Sequence, residues 1–139
     1  MDVKEAVRKA NESFYRAFES LDIHEMEKVW LQASHIKCIH PGWPLLWGWG
    51  PIMASWERIF ENTFEMRFTL TDVQVEVLGS LAWVVLTENL ESRTYDGPSR
   101  SAILATNIYE NHNGRWFLAH HHASPIFAPL PEGGESQLQ

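Results

Sequence analysis

The sequence predicts an α+β domain in which helices come first and cover one face of an antiparallel sheet. Three observations carry this. Residues 3–62 hold three stretches with apolar side chains at helical spacing. Residues 63–125 switch to alternating apolar and polar side chains. Turn signals at Gly79 and Ser80, at Tyr95 to Pro98, and at Asn113 and Gly114 cut that second half into four strands. Runs of helix followed by runs of strand define the class.

The elements follow in order. Val3, Val7, Ala10, Phe14, Ala17 or Phe18, and Leu21 line one side of a helix over residues 3–20. Asp22 with Glu25 three residues later is a capping-box signature for a second helix. Its apolar side is Ile23, Met26, Val29 and Trp30, and its expected end lies near Leu31 to Ser34. Residues 35–40 read as a strand with Ile36, Cys38 and His40 on one face, stopped by Pro41 and Gly42. Residues 42–51 are a loop by their Gly and Pro content, yet they carry three Trp and two Leu. So apolar a loop folds over a cavity or packs against another chain. Gly50 and Pro51 suit a helix start with Pro at the first helical position. Ile52, Met53, Trp56, Ile59 and Phe60 then face inward until near Asn62.

Met66, Phe68 and Leu70 alternate, and Val73, Val75 and Val77 alternate on the opposite parity. The slip at Thr71 and Asp72 predicts a bulge or sharp bend in one long strand. Residues 81–93, 101–111 and 116–124 are the remaining strands. From Pro125 the chain reads as a tail that docks briefly and frays, giving one domain over 1–128 and a flexible tail over 129–139.

Composition narrows the function. At 139 residues the chain is long enough for one well-formed core. The net charge of −7 argues against a nucleic-acid surface, which needs clustered Lys and Arg. A single cysteine, Cys38, forbids an internal disulfide and reads as a small buried hydrophobe. No signal-peptide core and no membrane-length apolar run occur, so a cytoplasmic protein without a membrane partner is expected. Seven Trp are unusually many, and large aromatics line cores, interfaces and apolar pockets alike. Both faces of the sheet carry apolar residues: Ala82, Val84, Leu86 and Leu90 against Trp83 and Val85, and Trp116 and Leu118 against Phe117 and Ala119. One face is therefore covered by the helices and the other by a partner subunit, giving a homodimer.

Several short motifs together carry a resemblance. They are His40-Pro41-Gly42-Trp43, Gly48, Met53-Ala54-Ser55-Trp56, Ala82-Trp83-Val84 with Glu88, Thr106-Asn107, and Gly114-Arg115-Trp116 leading to residues 120–125. The chain resembles the SnoaL-like branch of the nuclear transport factor 2-like, or ketosteroid isomerase-like, superfamily. Its closing motif is also similar to the association domain of calcium/calmodulin-dependent kinases. The resemblance spans residues 3–127. It implies a curved antiparallel sheet wrapped around the N-terminal helices, a cone-shaped α+β barrel of cystatin-like class, with a pocket at its wide end and dimerisation through the outer sheet face. One such scaffold hosts isomerases, cyclases, dehydratases and non-catalytic modules, so it implies no single activity.

The candidate site residues follow. His120 and His122, two apart in a strand, point one way at about 6–7 Å, and His121 points the other. The kinase-domain likeness puts Trp83, Thr87 and Asn89 in the cone, with Asn107, Tyr109, Phe117, Ala119 and His121. His120 and His122 then face the dimer side. A metal there needs further ligands, such as a facing Glu88, and structural histidines are the preferred reading, so no metal is expected. His121, His40 and Glu88 are the candidate acid/base groups. Glu88 is alternatively half-buried with a partner such as His120 or Arg93. Tyr15, Trp43, Trp47, Trp56, Trp83, Thr87, Asn89, Asn107 and Tyr109 are the candidate ligand contacts. The isomerase's carboxylate base with its Tyr and protonated Asp has no complete counterpart here, Tyr15, Asp72 and Glu88 being the nearest elements. No Gly-rich phosphate loop is present, and no cofactor is expected. Two readings result. The first is a domain binding a small apolar ligand, without catalysis or of unassigned activity. The second is a cofactor-independent isomerase, cyclase or dehydratase.

Overall fold

The computed structural model describes residues 2–127, so the expected tail over 129–139 lies outside the described residues. Helix α1 spans Val3–Ser20. The Asp2 side chain caps it by accepting from the Glu5 N–H at 2.8 Å. Its inward stripe joins Val7, Phe14 and Phe18 with two polar residues, Asn11 and Tyr15. Helix α2 spans Ile23–Val29 behind an Asp22 cap. It stops before the expected end because Trp30 turns extended, is buried, and bridges to Leu118.

Strand β1, Lys37–Ile39, is shorter than expected. The apolar loop contains a second short strand, β2, Leu46–Trp47, paired antiparallel to β1. Helix α3, Trp49–Glu61, opens two residues before the expected Pro51 start. Its cap is Gly48 at φ 86°, a left-handed backbone that favours glycine. Pro51 falls in the first turn, where a missing N–H costs nothing.

Strands β3 Thr63–Leu78, β4 Leu81–Thr94, β5 Gly97–His112 and β6 Arg115–Pro125 form the antiparallel run, each a little longer than expected except β3. The sheet order is β2-β1-β6-β5-β4-β3, and the sheet does not close. β1 runs parallel to β6, so the sheet is mixed rather than wholly antiparallel. The reason is the route of the chain. Trp30 already lies beside Leu118 near the start of β6, and Leu31 donates to the Leu118 carbonyl at 2.8 Å, so β1 must advance in the same direction as β6. The architecture is the α+β cone of cystatin-like class, with the core between the helices and the inner sheet face. Among the described residues, no helix is long and apolar enough to cross a membrane.

Of the sheet's three register shifts among the described residues, two decide which of the expected side chains point inward. In β3 the register shifts between Thr71 and Gln74, where Asp72 takes φ 53°. This is the slip that the valine parity announced. An Asp tolerates this backbone and a β-branched residue does not. Asp72→Val is expected to cost about 1–2 kcal/mol in urea unfolding, and a loss within error of zero would mean the bend is not locally strained. The second bulge lies in β6, where His120 pairs with Ile108 but Leu118 with Tyr109. Leu118 and Ala119 are therefore both buried, and Phe117 stands outside. The expected inward place of Phe117 is corrected by this extra residue.

The face of β4 also differs from expectation. Val84 pairs with Asn107, Leu86 with Ala105 and Glu88 with Ile103. Directly opposed residues share a face, so Ala82, Val84, Leu86 and Glu88 line the interior. Trp83, Thr87 and Asn89 lie on the outer face, and Asn89 is held there by Thr69 and Thr71. A one-residue error in assumed register turns every side chain of a strand over.

Candidate functional site

The interior of the cone holds one connected polar cluster in an otherwise apolar core. α1 presents Asn11 and Tyr15 one turn apart. Facing them are Glu88 on β4, Asn107 and Tyr109 on β5, and His121 on β6, all buried. The Tyr15 hydroxyl donates to Glu88 Oε2 at 2.5 Å. The Asn107 amide donates to Tyr15 Oη at 3.1 Å and to Asn11 Oδ1 at 3.0 Å. The Tyr109 hydroxyl donates to Asn11 Oδ1 at 2.8 Å. Asn107 Oδ1 lies 2.6 Å from His121 Nδ1. A carbonyl oxygen only accepts, so this contact assigns the proton to Nδ1 and leaves Nε2 as the basic nitrogen.

Burial governs the charges. It pushes the Glu88 carboxyl up to about 7, with the Tyr15 hydrogen bond opposing the rise. It holds His121 well below the usual imidazole range, with His40 adding to the effect. The Tyr15 and Tyr109 hydroxyls are raised by burial and then by the Glu88 charge.

A second cluster sits at the end of β1. His40 Nε2 lies 2.8 Å from Ser55 Oγ. The Ser55 hydroxyl donates to the Ile52 carbonyl at 2.6 Å, so His40 Nε2–H is the donor to Ser55. Burial lowers His40 to about 4. The buried Cys38 thiol lies 3.6 Å from His40 Nε2, and burial raises it. The His40 ring meets Trp56 edge-on at 4.7 Å and Trp43 at 4.9 Å, with His121 at 6.4 Å. Phe14 and Phe18 pack on Trp56 from α1. The Trp56 indole N–H is buried without an acceptor among the described residues. Trp43 is half-buried, and beyond it lies an open cleft of about 390 Å³ bounded by Arg58, Asn62, Thr94, Tyr95 and Asp96.

Of the expected site residues, the fold brings together His121, Glu88, Tyr15, Asn107 and Tyr109, with His40, Trp43 and Trp56 adjoining. Trp47 is 61% exposed on β2, because β2 is the edge strand of the sheet and pairs only with β1. Trp83, Thr87 and Asn89 are on the wrong face, as the register explains. Glu88 pairs with neither His120 nor Arg93; its partner is Tyr15. His120 and His122 stand outside with their rings 6.4 Å apart, and Glu88 points the other way, so it cannot join them in one metal site. Two site residues were not foreseen. Asn11 had a signal, being polar within the apolar stripe Val7, Phe14, Phe18. Ser55 had little, since a helical serine satisfied by the carbonyl three residues back is ordinary.

A profile of the SnoaL-like domain family matches residues 7–129. The chain belongs to the SnoaL-like domain family. Among solved structures, this SnoaL-like chain is 37% identical to a candidate dehydratase of the NTF2-like family from Streptomyces avermitilis, with 90% of this chain and 96% of that one covered at a TM-score of 0.85. It is 32% identical to a candidate calcium/calmodulin-dependent protein kinase type II association domain from Thiobacillus denitrificans, over 84% of this chain and 92% of that one, at a TM-score of 0.74. It is also 29% identical over 119 residues to the F-box protein SKIP8 of Arabidopsis thaliana, covering 86% of this chain and 49% of that protein. The SnoaL-like chain thus spans about half the length of this curated relative.

Proposed function

We propose that this SnoaL-like domain binds a small, largely apolar organic molecule carrying an acceptor oxygen, at the end of the cone marked by His40, Trp43 and Trp56. The observation that carries the reading is the buried Trp56 indole N–H, which has no partner among the described residues and, unlike the similarly placed Trp30 N–H, lies on a ring in contact with His40. A buried donor left unpaired costs about 1–3 kcal/mol, and a ligand oxygen beside the His40 ring removes that cost. The test is a thermal-shift and calorimetric screen of cyclic ketones and esters against the wild type and Trp56→Phe. Binding that weakens in the variant supports the site. Equal binding by both proteins, or by neither, sinks it.

A second reading is favoured by the buried Tyr15–Glu88 hydrogen bond, beside which burial pushes the Glu88 carboxyl up to about 7. A carboxyl poised at neutrality suits general acid/base work. Tyr15 and Glu88 would then exchange a proton with the ligand, and His121 would orient the Asn107 amide. The similarity to a candidate dehydratase is in keeping with such chemistry. Proton exchange at the carbon beside a cyclic ketone, followed in deuterium oxide by NMR, tests it. An exchange rate unchanged by Glu88→Gln counts against the role.

The outer sheet face presents Trp83, Val85, Ile108 and Leu104, with Trp83 37% and Leu104 46% exposed. This strip supports a homodimer through that face, in keeping with the similarity to an association domain. Ile108→Asp is expected to leave a monomer in sedimentation at micromolar concentration while the wild type stays dimeric. A wild-type monomer ends the proposal. A cytoplasmic location suits the single, buried cysteine.

A further inference from the structure

The cleft beyond Trp43 is not used by the interior cluster, yet it lies one aromatic ring away from it. Trp43 touches His40 on its inner side, at 4.9 Å between ring centroids. The Arg58 guanidinium sits over the same indole, 5.9 Å from its centre. Arg58 is exposed near the end of α3 and has no ion pair among the described residues. Around it the cleft has an aromatic wall, Tyr95, and the polar side chains of Asn62 and Thr94. The Asn62 amide nitrogen gives one of its two N–H groups to the Arg58 carbonyl at 2.8 Å. The cleft's remaining charge is Asp96.

We propose that this cleft is a binding subsite for a planar monocarboxylate, with Arg58 as the carboxylate anchor and Trp43 as the stacking platform between the subsite and His40. The deduction rests on the binding reading given above and names its ligand class. A guanidinium held over an indole at this distance keeps its N–H donors free, so that a carboxylate can be met by two parallel hydrogen bonds. The volume of about 390 Å³ suits a one- or two-ring molecule. Asp96 in the same cleft disfavours a second negative charge, which selects a monocarboxylate over a phosphate or a dicarboxylate. Trp43 leaves the Gly42 turn, and its N–H bonds the His40 carbonyl at 2.9 Å, so the platform is tied to the histidine it covers.

The experiment uses 2-naphthoate and its neutral counterpart 2-naphthamide, titrated calorimetrically into the wild type, Arg58→Gln and Arg58→Lys. His40 ring resonances are followed by NMR in parallel. Naphthoate is expected to bind the wild type about tenfold or more tightly than Arg58→Gln. Arg58→Lys should fall between them, and naphthamide should be indifferent to the substitution. Absence of naphthoate binding, or an equal loss for the amide, overturns the subsite. Arg58-dependent binding supports it even where the His40 resonances stay still, a result that counts instead against a ligand beside His40. Binding that moves His40 but ignores Arg58 overturns the subsite and leaves the interior reading standing.

Discussion

Asn107→Leu is expected to destabilise the protein by about 3 kcal/mol or more, the largest effect of any single polar substitution discussed. Leucine keeps the volume, so cavity formation contributes little. The cost comes from hydrogen bonds. Asn107 joins α1, β5 and β6 by donating to Asn11 and Tyr15 and accepting from His121. Without it, the His121 Nδ1–H is buried with no acceptor, at about 1–3 kcal/mol. Tyr15 and Asn11 each lose a donor as well, although Tyr15 keeps Glu88 and Asn11 keeps Tyr109. Urea unfolding at neutral pH reads the result. A loss below about 1 kcal/mol would show that the cluster is not acting as one network.

The second large effect is a pH dependence. Glu88 is raised from about 4.5 to about 7, so the folded protein holds a proton that the unfolded chain releases. Its contribution to stability is full below about 4.5 and falls as pH rises through about 7, by about 3 kcal/mol. His40, lowered to about 4, works in the opposite sense. The unfolded chain takes up its proton first, so stability falls as pH drops through the range between the usual imidazole value and about 4. His121 acts in the same direction. In the wild type these trends offset one another in the mildly acidic range. Glu88→Gln removes one side of the balance. The stability of Glu88→Gln relative to wild type should therefore climb by about 2.5 kcal/mol between pH 5 and pH 8. A difference that stays flat over that range would mean that Glu88 ionises normally.

Trp56 and Trp83 show how far single-strand and single-helix patterns reach. Trp56 lay in a helical stripe with Ile52, Met53 and Phe60, and its burial followed from that spacing alone. Trp83 lay in a strand with apolar residues on both faces, and alternation there carries no sign. The choice between faces depends on register with β5, which is set by fourteen paired positions across the hairpin and not by β4 itself. The β6 bulge adds the same ambiguity at Phe117. Its extra residue breaks no visible pattern, because Leu118 and Ala119 are both small enough and apolar enough to be buried.

The sequence by itself determined the order of the three helices and of every strand but the short β2, the bend at Asp72, the three hairpin turns and the family. All of these are local patterns, written over a few neighbouring residues. It also singled out His40, Glu88 and His121. The tertiary structure alone decided that Tyr15 is the partner of Glu88, that Asn11 and Asn107 link the two tyrosines to His121, and that β1 lies parallel to β6. Those pairs are 73 to 98 residues apart or depend on strand register. Contacts at such separation are fixed when the helices close over the sheet, and no local spacing encodes them.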